Sequence, residues 1–249
     1  MSDLVEATRR EAMIAAIAEL LRGARTIAVG ASSPLPAAAA LLAREREGAR
    51  ILMLGNRRLD GFTDGGRELF DCAAQGRVDV FFLSGGEIDG DGNINLVSIG
   101  DHDSPKVRFP GSFGSAHLYY VVPKVILFRT EHSRRTLVPK VGFVSAPGHS
   151  PDNVYRPGGP IALVTNRCLF GFDRTRRGFR LDSVHPGHTV DEVVAHTGFD
   201  FDRPATVPQT APPSDETLRL MRGPVAQELA EVYPQFAAAV FGATAAGPA

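Results

Sequence analysis

A glycine-rich tetrapeptide with an acidic end is the first feature of this sequence that can do chemistry. Ser84-Gly85-Gly86-Glu87 directly follows the apolar run 78–83, which predicts a buried strand. Open α/β sheets bind ligands at the carboxyl ends of their strands. The backbone N–H groups around Gly85 and Gly86 are therefore candidate donors to an oxyanion, and Glu87 is a candidate acid–base group. The alternative is a plain glycine turn with a solvated Glu87.

A second loop of small residues spans positions 109–116. Its Pro110, Gly111, Ser112 and Gly114 would suit a helix N-terminus that binds an anion. A G-x-S-x-G nucleophile elbow is excluded here, because Pro110 stands where the first glycine belongs. The alternative interpretation is an ordinary loop.

The remaining candidates are one histidine and two cysteines. His185 lies in a His-Pro-Gly turn before a predicted helix and is either catalytic or a packed structural side chain. Cys72 and Cys168 form no zinc-ligand spacing, and their apolar neighbours predict buried free thiols. The sequence contains no G-x-G-x-x-G segment after an early strand and no Walker A motif, so a nucleotide site of either kind is not indicated.

Composition excludes several classes of protein. Among 249 residues, 27 basic and 28 acidic side chains leave a formal charge of −1, which argues against nucleic-acid binding. No stretch approaches the ~18 apolar residues that a membrane-spanning helix needs, and the first ten residues lack a secretory apolar region. We expect a reduced, cytoplasmic protein with a continuous core and no membrane association.

Hydrophobic periodicity predicts an alternation of strands and helices in the first third of the chain. The expected helices cover residues 4–22, 34–47 and 68–75, and the expected strands cover 26–29, 50–54 and 78–83, with a loop over 55–66. Ser33 followed by Pro34 is read as an N-cap with proline at the first helical position. We expect the first helix and the glycine-rich loops to leave apolar surface for a partner. Largely apolar strands in this order favour a mostly parallel open sheet with helices on both faces.

The rest of the chain is richer in turns. Residues 89–93 predict a tight turn between Ile88 and Ile94. The further expected strands are 124–128, 141–145, 161–165, 168–172 and 179–183. Thr189 begins a helix that Gly198 ends, the proline-rich stretch 204–213 is an extended linker, and Ser214 caps a last pair of helices broken at Gly223. The expected division is an α/β domain over 1–225 and a C-terminal helix with a frayed tail over 226–249.

Several segments together resemble the β subunits of the class I CoA-transferase family, of the glutaconate CoA-transferase type. They are RVDVFFLSGGEID (77–89), GNIN (92–95), RFPGS (108–112), RR (134–135) before VGF (141–143), FGF (170–172) and HPGHTVDEV (185–193). Their order and spacing hold from about residue 10 to residue 225, which is nearly the whole chain.

This resemblance implies a partner and a substrate class. An α subunit of the same family would complete the active site at the subunit interface, and the pair would assemble to a heterotetramer or larger. The substrate would be an acyl-CoA thioester, with no metal and no prosthetic group. The main catalytic carboxylate is expected in the α subunit. Substrate or CoA binding is expected from Gly85, Gly86, Asn93, Asn95, Pro110, Gly111, Ser112 and Gly114.

The sequence departs from the family at one informative place. True transferases of this family carry a nucleophilic Glu just after the second strand, where it becomes a thioester carrier. Leu54 and Gly55 stand at that position here, and neither can form a thioester. Two relatives that also lost this Glu are similar to this chain: one opens a ring of a steroid-derived CoA thioester with water, and the other is a decarboxylase with Cys at the position. Since residues 51–58 contain no Cys, the first relative is favoured.

We therefore expect the β subunit of an enzyme that cleaves a carbon–carbon bond of an acyl-CoA hydrolytically, in a ring-degradation (steroid-type) pathway. The alternatives are CoA transfer, with Glu87 or an α-subunit carboxylate as carrier, and decarboxylation. A metabolite-binding regulatory module is the non-enzymatic alternative.

Overall fold

The structure is a computed structural model that describes residues 2–56 and 64–242. Part of the predicted 55–66 loop and the expected frayed end after Gly242 lie outside the described residues. In chain order the elements are α1 (Ser2–Leu20), β1 (Thr26–Val29), α2 (Pro34–Glu47), β2 (Arg50–Met53), α3 (Gly65–Ala74), β3 (Val80–Leu83), β4 (Glu87–Ile88), β5 (Ile94–Asn95), β6 (Ser98–Gly100), β7 (Pro105–Arg108), α4 (Ser115–Val121), β8 (Lys124–Arg129), β9 (Pro160–Thr165), β10 (Cys168–Asp173), β11 (Gly178–Val184), α5 (Val190–His196), α6 (Asp215–Leu220), α7 (Ala226–Val232) and α8 (Pro234–Phe241).

The chain forms two compact units. The first consists of Met1–Leu69, Val78–Val80 and Ala211–Ala249, and the second of Phe70–Arg77 and Phe81–Thr210. Strand β3 passes from the first unit into the second after Val80.

Short parallel strands form the sheet of the first unit. β1 pairs with β2 and with the start of β3, so that Ile27 lies opposite both Ile51 and Val80. Their side chains are almost wholly apolar and buried, which is the pattern of strands covered on both faces. The predicted boundaries of these strands agree with the structure to within two residues.

Part of the apolar stripe of α1 is buried within the chain. Met13, Ile14 and Ile17 are at most 1% exposed, whereas Leu20 is half-buried. The expectation that the first helix leaves apolar surface for a partner is therefore wrong at Met13, Ile14 and Ile17. Ser33 does precede α2, but its hydroxyl donates to the Ala31 carbonyl and makes no cap bond.

The C-terminal helices follow the prediction in part: the cap and the break lie where expected, but the single helix predicted after the break is two helices, α7 and α8. Ser214 accepts a hydrogen bond from the Thr217 N–H and caps α6. A π-helical stretch, Met221–Val225, then contains the predicted break, because Gly223 has non-helical dihedral angles of φ −101° and ψ −107° and Pro224 follows it.

The sheet of the second unit has the strand order β11-β10-β9-β8-β3. β8 and β9 run parallel, whereas β9, β10 and β11 form antiparallel pairs. Over the whole chain the sheet is mixed and mostly parallel, which confirms the predicted fold class. The strand predicted at 141–145 is wrong: this segment is irregular. It contacts β5 through hydrogen bonds from the Ser145 N–H and hydroxyl to the Ile94 carbonyl, next to an isolated bridge between Ile94 and Ala146.

Small elements surround the carboxyl ends of β3 and β8. The predicted turn 89–93 joins β4 to β5, which pair antiparallel as expected. The hairpin β6–β7 and the helix α4 were not predicted, because their short segments show no clear periodicity. Residues 202–210, which overlap the predicted linker 204–213, run along β11. The Thr210 N–H donates to the Val184 carbonyl, and the Leu181 N–H donates to the Asp202 carbonyl.

Candidate functional site

A cleft of about 610 Å³ lies in the second unit at the ends of two sheet strands. Ser84 follows β3 directly, and Arg129 is the last residue of β8, the neighbour of β3 in the sheet. The lining residues are Ser84, Gly85, Gly86, Leu96, Ile99, Lys106, Val107, Phe109, Pro110, Arg129, Arg135 and Thr136. One part of the wall is thus apolar and another part carries cations, which suits a ligand with an apolar body and an anionic group.

The glycines of this loop are required by packing within the protein. A Cβ on Gly86 would lie 2.1 Å from Cζ of Phe109, and one on Gly85 would lie 2.4 Å from Cγ2 of Ile94. Neither glycine is among the residues described with positive φ, so backbone conformation does not require glycine at these positions. These positions take glycine because side chains of the same unit press against them.

The expected oxyanion donors are only partly available. The Gly86 N–H donates to the Asn95 carbonyl at 2.9 Å, and that bond occupies it in this conformation. Gly85 and Gly86 do line the cleft, but the Gly86 amide cannot also stabilise an oxyanion without breaking this bond. The predicted role of Gly86 as a donor is therefore not supported by its geometry.

Glu87 is buried rather than solvated. It is 9% exposed, and its Oε2 accepts hydrogen bonds from Asn95 Nδ2 at 2.7 Å and from the Gly142 N–H at 2.9 Å. Asn95 is itself fully buried and donates to the Ser98 carbonyl as well. Neither Glu87 nor Asn95 lines the cleft. Their hydrogen bonds connect β4 to β5 and join the hairpin to Gly142, which indicates a structural role.

Asn93 also makes hydrogen bonds within the protein. Its amide Nδ2 donates to Asp89 at 3.2 Å, and its Oδ1 accepts from the Gly148 N–H at 3.0 Å. Asp89 in turn accepts from the Asn93 and Val141 backbone N–H groups. The polar residues of the turn therefore connect two segments of the second unit.

A cationic group of the cleft was missed by the sequence analysis. Arg129 has a side chain 28% exposed, a buried Nε without a hydrogen-bond partner in the described residues, and its nearest carboxylate contact is Glu131 at 3.9 Å. Burial lowers the pKa of its guanidinium. Glu131 is instead held by Arg135, at 2.9 Å, and that hydrogen bond lowers the pKa of the Glu131 carboxyl. Arg129 thus remains able to bind an anion in the cleft.

The sequence position of Arg129 could have identified it as a candidate ligand-binding residue. It directly follows the apolar strand predicted at 124–128, and side chains at strand ends reach ligands in α/β folds. An arginine-rich composition, with 27 basic residues in the chain, makes a single arginine hard to distinguish from the others.

The second predicted loop contributes two residues to the cleft, Phe109 and Pro110. Gly111 adopts φ +101° and donates its N–H to the Leu96 carbonyl at 3.2 Å. Gly114 precedes α4 and lies against Phe70, since a Cβ there would come within 2.0 Å of that ring. Ser112 uses its carbonyl to accept from the Ser115 N–H at 2.8 Å. Ser112, Gly111 and Gly114 are not among the cleft-lining residues, so their predicted role in binding stays a prediction.

His185 belongs to a buried chain of hydrogen bonds. Its ring contacts Thr210 Oγ1 at 2.8 Å and the Thr165 carbonyl at 2.9 Å, and His132 contacts the hydroxyls of Thr165 and Thr197 at 2.8 and 2.9 Å. Burial is the main cause that lowers the pKa of His132 to about 3 and that of His185 to about 4. Neither residue lines the cleft, which favours the structural interpretation of His185.

The two cysteines differ in environment. Cys168 is buried and free, and desolvation raises the pKa of its thiol to about 12. Cys72 is also free but only half-buried, so the prediction of a buried thiol is correct for Cys168 and wrong for Cys72.

Leu54 and Gly55 follow β2 in the first unit. The Leu54 N–H donates to the Val29 carbonyl at 3.0 Å, which extends the pairing of β1 and β2 by one residue. Gly55 has φ +86°, a left-handed conformation that glycine adopts at little cost. Neither residue offers a nucleophilic side chain.

The helices within residues 2–56 and 64–242 were also compared with the requirements for crossing a bilayer. None of them combines the necessary length with the necessary apolar character.

Comparison with known proteins places these features in context. The model of a family described as coenzyme A transferase matches residues 11–196. The chain is 35% identical over 153 residues to the B-type subunit of the 3-oxoadipate CoA-transferase of Pseudomonas knackmussii, covering 59% of this chain and 58% of that protein. This match therefore spans little more than half the length of that relative.

Two further similarities cover most of the chain. It is 30% identical over 243 residues to the cholesterol ring-cleaving hydrolase IpdB subunit of Rhodococcus jostii, covering 88% of this chain and 92% of that protein. The crystal structure of the decarboxylase AibA/AibB superposes with a TM-score of 0.75 at 26% identity, covering 95% of this chain and 99% of the matched one. Relatives with three different reactions thus share this fold.

Proposed function

The chain belongs to the coenzyme A transferase family, and from that membership we propose that it is the B-type subunit of a two-subunit enzyme that cleaves a carbon–carbon bond of an acyl-CoA with water. The α-type partner supplies the general base, and the enzyme needs no cofactor beyond the CoA of its substrate. The two chains assemble as a heterotetramer or larger.

The observation that carries this proposal is the chemistry at the end of β2. Leu54 and Gly55 stand where the resemblance puts the thioester-forming Glu of the transferases. A covalent acyl relay needs a nucleophilic side chain, and a leucine and a glycine provide none. Loss of this one group removes transfer and leaves the binding of the thioester intact.

Glu87 is poorly suited to replace the missing carboxylate. Its Oε2 already accepts two hydrogen bonds, from Asn95 and Gly142, and the side chain is buried away from the cleft lining. A nucleophile must reach the thioester carbonyl carbon, and these contacts hold Glu87 elsewhere.

The cleft supports a hydrolytic step in which Arg129 stabilises charge. Water, deprotonated by the partner's base, adds to a ring carbonyl carbon of the acyl group. The carbon–carbon bond then breaks, its electron pair goes to the neighbouring carbon, and a proton replaces it there. The products are a new carboxylate and an intact thioester. A preorganised guanidinium near the developing oxyanion is worth roughly two to three orders of magnitude in rate.

The apolar wall fits the ring-bearing acyl group that this reaction requires. Leu96, Ile99, Val107 and Phe109 line the same cleft as Arg129. An apolar wall binds the carbocycle, while the cations of the cleft bind its oxygen-bearing end.

Ordinary CoA transfer is the second candidate, because the B-type chain of the 3-oxoadipate transferase is 35% identical over 153 residues. Decarboxylation is the third, supported by the similarity to AibA/AibB. A regulatory module would be stable and able to bind metabolites without any partner.

The test uses the chain coexpressed with an α-type subunit of the same family from the same organism. The complex is incubated with ring-containing acyl-CoA esters in H₂¹⁸O, and the masses of the products are measured by mass spectrometry. We expect one ¹⁸O atom in a new carboxylate, CoA still attached and no need for an acceptor acid. Movement of CoA to an added carboxylate would establish transfer, and release of CO₂ would establish decarboxylation.

A borohydride trap provides the second readout. During turnover no reduced carboxylate should appear on this chain, because Leu54 and Gly55 cannot carry a thioester. A reduced Glu87 found by peptide mass analysis would overturn the hydrolytic proposal.

A further inference from the structure

A second and smaller cavity, of about 190 Å³, lies in the second unit and shares no lining residue with the cleft. Its wall comes from residues 148–158 and from the β10–β11 hairpin. Three arginines, Arg156, Arg174 and Arg177, line it together with His149 and Ser150. A cavity of this size suits a small polar group, since pockets for larger organic ligands start at about 300 Å³.

Backbone carbonyls fix the guanidinium of Arg174. Its Nη1 donates to the Pro157 carbonyl at 3.2 Å, and its Nη2 donates to the Gly159 carbonyl at 3.0 Å. Burial is the main cause that lowers the pKa of this group. A guanidinium held by carbonyls keeps its positive charge, and within residues 2–56 and 64–242 no carboxylate forms an ion pair with Arg174.

Arg156 is held in the same way but retains one unused group. Its Nε donates to Gly158 O and its Nη2 to Tyr119 O, both at 3.0 Å, and the guanidinium lies over the Tyr119 ring at 5.2 Å. Its Nη1 is buried and has no hydrogen-bond partner among the described residues. A buried donor left without an acceptor destabilises the fold, so native proteins rarely keep one without a ligand or water to accept from it.

Arg177 is the third arginine of the cavity wall, which has more basic than acidic side chains. Arg177 pairs with Asp152, whose side chain is 90% exposed. Asp152 is the one acidic residue among those described as lining the cavity, against three guanidinium groups. The wall therefore carries a net positive charge that its own carboxylate does not balance.

We propose that this cavity binds a phosphoryl group through Arg156, with Arg177 as a second cation. Phosphoryl oxygens provide several strong acceptors in a small volume, and guanidinium groups bind them through paired hydrogen bonds. Such a group satisfies Arg156 Nη1 and offsets the positive charge. It comes either from free orthophosphate or from a phosphomonoester on a larger molecule, of which the 3′-phosphate of CoA is one.

The first experiment titrates the full chain, purified with its coexpressed partner, with orthophosphate at constant ionic strength in an isothermal calorimeter. We expect saturable binding at one site per chain. Arg156→Gln should weaken that binding roughly tenfold or more, equivalent to about 1.4 kcal/mol. The control Arg176→Gln should leave it unchanged, because Arg176 pairs with Asp202 and is not among the cavity-lining residues.

A second variant guards against loss of folding. Arg156 also bonds two backbone carbonyls, so the melting temperature of Arg156→Gln is measured without phosphate. If that variant does not fold, the same phosphate titration of Arg177→Gln tests the proposal. That variant should bind phosphate severalfold more weakly. Unsaturable binding by the natural chain, or unchanged binding by the folded variants, overturns the proposal.

Comparison of CoA with 3′-dephospho-CoA identifies the source of the phosphoryl group. If the CoA phosphate occupies the cavity, CoA should bind more tightly than its dephospho form, and Arg156→Gln should abolish that difference. If free phosphate is the ligand, the two forms bind equally and orthophosphate binding still depends on Arg156. The orthophosphate titration does not depend on the proposed reaction, so failure of one leaves the other standing.

Discussion

Asn95 Nδ2 lies 2.7 Å from Glu87 Oε2 inside the β4–β5 hairpin, and both side chains are buried. A buried carboxylate is stable only when its oxygens accept hydrogen bonds, and Asn95 with the Gly142 N–H provides them. Glu87 therefore stabilises the segment that follows the glycine-rich loop. A substitution at Glu87 is tolerated only if the new side chain can still accept these hydrogen bonds.

Glu87→Gln should keep most of the activity of the complex. A glutamine carbonyl can still accept from Asn95 and Gly142, so we expect kcat/KM within about tenfold of the natural value and a modest loss of stability, ~1 kcal/mol. Glu87→Ala should cost more, about 1–3 kcal/mol, because it removes the acceptor of the buried Asn95 amide and of the Gly142 N–H. Steady-state kinetics and thermal melts on the purified complex measure both effects. A thousandfold loss of kcat in Glu87→Gln at an unchanged melting temperature would show instead that Glu87 acts on the substrate.

Gly86→Ala should destabilise the second unit through Phe109. The new Cβ would lie 2.1 Å from Cζ of Phe109, so that ring must move, at a cost of about 1–3 kcal/mol. Adding Phe109→Ala to Gly86→Ala should recover part of this loss, since the two sites are in contact. Gly178→Ala is the matched control, because a Cβ there meets nothing within 4 Å. Denaturant unfolding of the two single variants, the double variant and the control gives the coupling, and strictly additive losses would contradict the contact.

Arg129→Gln should reduce turnover far more than Arg135→Gln. Both residues line the cleft, but Arg135 is 78% exposed and already paired with Glu131, whereas Arg129 has a buried and unpartnered Nε. We expect at least a hundredfold loss of kcat for Arg129→Gln, equivalent to ~2.7 kcal/mol in the barrier, and less than tenfold for Arg135→Gln. Equal effects of the two substitutions would remove Arg129 from the proposed mechanism.

Stability should fall as the pH falls below about 6.5. In the unfolded chain His132 and His185 take up protons near that pH. In the folded chain burial holds the pKa of His132 at about 3 and that of His185 at about 4. Between pH 6.5 and 4 the unfolded state thus binds more protons, and the free energy of unfolding decreases with decreasing pH.

Each histidine should contribute a slope of about 1.4 kcal/mol per pH unit in that window. His185→Gln should lower stability at pH 8 and make its dependence on pH shallower. The exposed His117 is the control, and His117→Gln should leave the slope unchanged. Urea unfolding at a series of pH values tests this, and an unchanged slope in His185→Gln would show that its titration does not matter.

Local sequence patterns predicted most of the fold, and long-range contacts explain what they missed. The apolar runs of β1, β3 and β8 and the capping signal at Ser214 each act within a few residues, and each was found. The segment 141–145 has strand-like residues, but its backbone is used to anchor Glu87 and Asp89 instead of a sheet.

The candidate site was predicted less well than the fold. Gly85 and Gly86 were correctly placed at the end of a strand and line the cleft, since loop composition and strand position are local properties. The burial of Glu87 and the exposure of Arg129 to the cleft depend on contacts between segments that are distant in the sequence. The spacing of residues along the chain does not predict those contacts.

The stretch 202–210 along β11 covers the outermost strand of its unit. β11 ends the strand order of its unit, and residues 202–210 take up backbone groups of Leu181 and Val184 that would otherwise be open to another molecule. An uncovered outermost strand is a template on which foreign strands assemble into aggregates. Because this segment occupies the edge of β11, it blocks the addition of a strand from another molecule there. Its prolines have no backbone N–H and so cannot donate to a further strand.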